Sequence, residues 1–149
     1  MIGAVFDTNI YFQAAVNNKG PASACWEYVE KGIVRVYITE SIIAEIEDAL
    51  SRPKIRRQFP VLTDERIKIV MATYLKYAEH VQNVEKKYRL ERDSDDEQFI
   101  DLALTVGADF IVSRDKDLLD LRPDSAFTSQ YPSLRIVNPF EFLQMVRKE

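Results

Sequence analysis

The chain has little of the residues that build many familiar sites: among its 149 residues are one cysteine, one histidine and four glycines. A single cysteine, Cys25, cannot form an internal disulfide. One histidine, His80, cannot build a histidine-rich zinc centre, and one thiol cannot build a thiolate centre. His80 reads as a structural histidine, hydrogen-bonded near the end of a long helix. No P-loop, GxGxxG fingerprint or Ser-His-Asp set is present. No apolar run approaches bilayer-spanning length. The N-terminus has no basic stretch followed by an apolar core and a cleavage site, so no secretory leader is expected. Together these absences predict a cytoplasmic protein that does not engage a membrane. There is no excess of positive charge either: 20 Lys and Arg face 24 Asp and Glu, a net charge of −4. That argues against a general nucleic-acid coat protein, which is usually basic. It does not argue against an enzyme acting on nucleic acid, because clustered catalytic acids lower the total.

What is present is ordinary globular material, with 46% hydrophobic and 30% charged residues. The length is that of one domain, 1–149, large enough for a core without disulfides or structural metal. Short apolar runs rich in Val and Ile predict strands over 2–6, 34–39, 109–113 and 134–137, with a weaker one over 80–84. Helical patterns lie between them. "PASACWEYVEKG" has Pro21 in its first turn and Gly32 as a stop. "TESIIAEIEDALSRP" starts after a Thr39 cap and ends before Pro53. "TDERIKIVMATYLKYAEHV" is a long amphipathic run. "SDDEQFIDLALTVG" reads as a helix opened by a capping box of Ser94 with Glu97 and closed at Gly107. "NPFEFLQMVRKE" has Asn138 as cap, Pro139 next and Glu141 at the third position. Phe140 and Phe142 read there as core and surface neighbours. Strands alternating with helices predict a three-layer α/β/α sandwich with a mostly parallel sheet of about five strands.

In such sheets, sites form at the carboxyl ends of the strands. The first strand stops at Asp7 in "MIGAVFDTNIYF", and a buried carboxylate there needs a compensating partner. The strand in "DFIVSRDKDLL" likewise runs into Ser113, Arg114, Asp115 and Asp117. One of those two acids can cap the short helix that follows, which leaves one in excess. In "SDDEQFIDLALTVG" the helical repeat puts Asp96 near the centre of the apolar face, Glu97 at its edge and Asp101 on the polar side. In "SIIAEIEDAL", Glu45 and Glu47 flank the apolar face on opposite sides, and periodicity does not choose between them. Asp48 faces away. Converging carboxylates repel unless a cation neutralises them. Oxygen-only ligands select hard cations, Mg²⁺ or Mn²⁺, and such ions commonly act on phosphates. Basic residues group at Arg52, Lys54, Arg56 and Arg57, and again at Lys86, Lys87, Arg89 and Arg92. Each group is either a solvated face or a phosphate track.

The pieces "VFDTNI", "SIIAEIEDAL", "DSDDEQFIDLAL" and "GADFIVSRDKDLL", in this order, resemble the PIN domain family (PilT N-terminus) of metal-dependent ribonucleases. The resemblance covers nearly the whole chain, and the last piece is its most specific part. It implies Asp7, Glu45, Asp96 and Asp115 as catalytic metal ligands, with Glu45 rather than Glu47 as the second acid. It implies supporting roles for Asn9, Ser113 and Asp117, and one or two Mg²⁺ or Mn²⁺ ions. Arg52, Lys54, Arg56, Arg57 and Arg114 are candidate RNA contacts. The branch most resembled is the toxin component of toxin–antitoxin systems, which implies a small antitoxin partner and a homodimer. Ser94 departs from that branch, which often has proline there.

Two other functions compete. A haloacid-dehalogenase-type phosphatase also begins with an apolar strand ending in Asp, but it needs a second Asp two positions on, where this chain has Asn9. A non-catalytic RNA- or partner-binding module on the same fold would be expected to have lost some of the acids, and all four are present.

Overall fold

The computed structural model describes residues 1–90 and 94–148. Arg92 of the second basic group lies outside the described residues. Strand β1 (Ile2–Phe6) is followed by helices α1 (Thr8–Val16) and α2 (Pro21–Glu30), then β2 (Val34–Ile38). Helices α3 (Glu40–Ser51), α4 (Pro53–Gln58) and α5 (Asp64–Tyr77) lead to β3 (Glu79–His80). A 3₁₀ turn (Ser94–Asp96) runs into α6 (Glu97–Val106) and β4 (Phe110–Val112). Short helices α7 (Lys116–Leu119) and α8 (Ser125–Gln130) precede β5 (Arg135–Val137) and α9 (Pro139–Arg147).

The five strands form one parallel sheet in the order β3-β2-β1-β4-β5. β1 is central, and Ala4, Val5 and Phe6 are fully buried, as a strand covered on both faces requires. Phe6 lies opposite Val112, and the Asp7 amide donates to the Val112 carbonyl at 3.1 Å. The carboxyl ends of β1 and β4 are therefore level.

Strand order decides where a site can form. From β1 the chain moves outward through β2 to β3, then crosses to β4 on the other side of β1. The β1–β4 boundary is thus the point where the winding direction reverses and a crevice opens at the carboxyl edge. A crossover helix between parallel strands runs back against them, so its N-terminus lies above that same edge. α6 packs on β1 and β4, which brings its first turn over the crevice.

Several local expectations shift. Thr39 is not strand but the cap of α3, accepting from the Ile42 amide at 3.2 Å. His80 lies in the edge strand, not at the end of a helix, and its Nε2 contacts the Leu75 carbonyl at 3.1 Å. The Ser94–Glu97 capping box does not form. Ser94 lies in the 3₁₀ turn, and the Glu97 carboxylate instead accepts from the Leu90 amide at 2.9 Å and pairs with Lys86 at 2.6 Å. That ion pair holds the Glu97 carboxyl below its usual range. Asp101 is not on a polar surface: it is 5% exposed, and its Oδ1 accepts from the amides of both Lys87 and Tyr88 at 2.8 Å. Two acids of α6 thus hold the 86–90 segment, which periodicity cannot reveal because the covering segment comes from outside the helix. The α9 caps form as expected, with Asn138 and Glu141 making the reciprocal capping box, but of its two aromatics it is Phe142 that is buried and Phe140 that is exposed. Gly107 closes α6 in the left-handed conformation, at φ 69°.

Candidate active site

Asp7 caps α1, its Oδ1 accepting from the Ile10 amide at 3.2 Å. Its Oδ2 accepts a hydrogen bond from the Ser113 hydroxyl. The Ser113 oxygen in turn accepts from the Asp115 amide at 2.9 Å. Ser113 is fully buried, so this hydroxyl ties the end of β1 to the loop after β4. Asp115 caps α7, accepting from the Asp117 amide at 2.8 Å. The one cap that α7 needs is therefore made by Asp115, and Asp117 is the acid in excess.

Burial pushes the Asp7 carboxyl up to about 6. The hydrogen bonds from Ser113, Ile10 and Asn9 pull the other way, and the nearby Asp115 adds to the rise. Glu45, on α3, receives 2.8 Å and 3.1 Å hydrogen bonds at Oε2 from the Gln98 amide and the Thr8 hydroxyl. The Gln98 carbonyl is itself fixed by the Ser41 hydroxyl at 3.1 Å. Glu47 is exposed on the other flank, so the tertiary structure makes the choice that periodicity left open.

Asp7, Thr8, Asn9, Glu45, Asp95, Asp96, Phe99, Arg114 and Asp115 line one cavity of about 320 Å³. Asp96 is 9% exposed at the start of α6, consistent with its place on the apolar face. Asp96, Asp115 and Asp117 can each bring a carboxylate oxygen to within 4.8 Å of the other two. Asp117 thus belongs to this group together with Asp115, while Asp7 and Glu45 do not. Carboxylates without histidine or thiolate form a donor set suited to Mg²⁺ or Mn²⁺. The N-termini of α1, α6 and α7 converge here, and their dipoles favour negative charge.

The basic residues divide. Arg114 lines the acid cavity. Arg52 pairs with Asp48 at 2.7 Å, and Arg56 pairs with Asp64 at 2.7 Å while also donating to the Leu62 carbonyl. Those two are engaged within their own segment, and neither they nor Lys54 and Arg57 line the acid cavity. Sequence reasoning passed over Thr8 and Gln98. Thr8 stood inside a quoted motif, but nothing in the chain showed that Gln98 would reach across to α3.

The family profile described as PIN domain matches residues 3–117. This chain belongs to the PIN domain family. The match spans all the acids of the cavity and ends at Asp117, so α8, β5 and α9 lie beyond it. The PIN-domain chain is also 27% identical over 148 residues to the uncharacterized protein MJ1680 of Methanocaldococcus jannaschii, covering 99% of this chain and 93% of that one. Its fold is similar to a chain in the crystal structure of VapBC2 from Rickettsia felis bound to a DNA fragment from their promoter. That similarity has a TM-score of 0.58 at 16% identity, covering 92% of this chain and 98% of that one. Both comparisons run over nearly the full length, so the five-stranded α/β fold is common to the PIN-domain chain and its structural neighbour.

Proposed function

We propose that this protein is a metal-dependent endoribonuclease and acts as the toxin of a toxin–antitoxin pair. The carrying observation is the convergence of acids from four separate segments on one cavity at the β1–β4 crevice. Asp96, Asp115 and Asp117 would hold Mg²⁺ or Mn²⁺, with Asp7 and Glu45 completing a second face of the site. Bound there, the ion would polarise a phosphoryl oxygen and make water a competent nucleophile near neutral pH.

The protein's own groups set the geometry. Ser113 and the α1 amide hold Asp7 in one rotamer. Gln98 and Thr8 do the same for Glu45, the kind of support that keeps a ligand set in place. Arg114, exposed at the rim, offers a fixed positive charge to the phosphate backbone.

The toxin assignment rests on the family and on the VapBC2 likeness, and implies an antitoxin that sets a basic side chain among the acids. A homodimer belongs to the same proposal. The test is cleavage of single-stranded or loop RNA with Mg²⁺ or Mn²⁺, giving 5′-phosphate and 3′-hydroxyl ends. Asp7→Asn should remove nearly all cleavage without unfolding the protein. Cleavage that persists in excess EDTA, or an Asp7→Asn variant as active as wild type, overturns the nuclease reading. Growth arrest on expression, relieved by a co-expressed small partner, tests the toxin reading.

A further inference from the structure

Helix α9 buries Pro139, Phe142, Leu143 and Val146 on one stripe against the body of the protein. Phe140 has no place on that stripe and is 64% exposed, while Phe142 is fully buried. A large aromatic ring left in water at the first turn of a well-capped helix does little for the core. It lies on a second cavity, of about 270 Å³, together with Arg114, Asn138, Leu119 and the first turn of α2. Among the described residues no acid lines this cavity, in contrast to its neighbour. Arg114 lines both cavities, so the two adjoin at this residue.

We propose that Phe140 and Arg114 form a base-stacking subsite for single-stranded RNA, next to the acid cavity. This rests on the nuclease reading above and names how its substrate is held. A nucleic acid strand with a phosphate at the acids must continue in some direction, and the acids repel its next phosphate. The route across Arg114 replaces that repulsion with attraction. Along that route the exposed ring of Phe140 offers a flat apolar face, the standard surface on which an unpaired base stacks. Stacking takes any base and excludes paired ones, so the subsite selects single-stranded or loop RNA over duplex. Phe140 lies beyond residues 3–117, so this contact belongs to the C-terminal part of the chain, outside the matched family profile.

The experiment measures binding of short 5′-labelled RNA by fluorescence anisotropy, with every protein carrying Asp7→Asn so that the RNA stays whole. A matching set of oligonucleotides has one abasic residue placed in turn at each position. With Phe140 present, one abasic position should weaken binding roughly ten- to a hundredfold, as loss of one aromatic stack does. With Phe140→Ala, binding of the intact RNA should fall by a similar factor and that position should no longer matter. Phe140→Trp should restore the discrimination. If Phe140→Ala binds intact RNA as tightly as the parent, or still discriminates the same abasic position, the subsite is refuted while the nuclease reading stands. If the parent binds no RNA and the wild-type protein cleaves none, both readings fall. A variant that binds RNA normally but changes molar mass in light scattering assigns Phe140 to a protein contact, which also overturns the subsite.

Discussion

Asp7 carries an electrostatic cost in the metal-free cavity. Its carboxyl titrates near 6 in the folded chain and near 3.8 when unfolded. The folded state therefore binds this proton more tightly, and stability falls as pH rises from about 4 to about 6, after which the full penalty remains. That penalty is about 3 kcal/mol above pH 7 and about 0.5 kcal/mol at pH 4. Asparagine can still cap α1, so Asp7→Asn removes the charge and keeps the helix start. In metal-free buffer, the stability of Asp7→Asn relative to wild type should improve by about 2–3 kcal/mol between pH 4 and pH 7.5. Urea denaturation at the two pH values measures it. A pH-independent difference would mean that the Asp7 carboxylate is compensated in the folded protein without a cation.

Helix α6 does two jobs along its length. Its start presents Asp96 to the cavity, and its body anchors the 86–90 segment through Glu97 and Asp101. The two anchors differ in depth. Asp101 is buried and satisfies two backbone amides, so Asp101→Ala leaves both donors short of a partner and should cost about 2–3 kcal/mol. Glu97→Gln retains an acceptor for the Leu90 amide and loses only an ion pair with an exposed lysine, so its effect should be small. Amide hydrogen exchange gives the local readout: Lys87 and Tyr88 should exchange much faster in Asp101→Ala, and near the wild-type rate in Glu97→Gln. Equal exchange in both variants would place the anchor elsewhere.

At the scale of the molecule, the acids store repulsion that a divalent cation relieves. A ligand that binds only the folded state at a hundredfold excess over its Kd adds about 2.7 kcal/mol. For a chain of this size that raises the melting temperature by roughly 5–10 °C. Wild-type protein should show such a rise with Mn²⁺ and lose it with EDTA. Asp96→Asn should be equally stable or up to about 2 kcal/mol more stable without metal, and should respond far less to Mn²⁺. If Asp96→Asn instead lowers metal-free stability by several kcal/mol, Asp96 is a structural hydrogen-bonding group and not a ligand.

Much of this was legible in the chain. An apolar run ending in Asp7, a cap at Asn138, a stop at Gly107 and Asp96 on an apolar face are local signals, because strand and helix periodicity determine which neighbours a residue has within its own element. The parallel sheet followed from the alternation of those elements. The order of the strands did not, and it is the order that sets β4 beside β1 and opens the crevice between them. Periodicity could not choose Glu45 over Glu47, since both flank the same stripe; the family resemblance named Glu45, and the packing against α3 is what sets it on the cavity. The same holds for Asp101, which periodicity places toward solvent until the 86–90 segment covers it, and for Gln98, whose partner lies 53 residues away. Periodicity describes the face an element offers, and strand order and packing determine what that face meets.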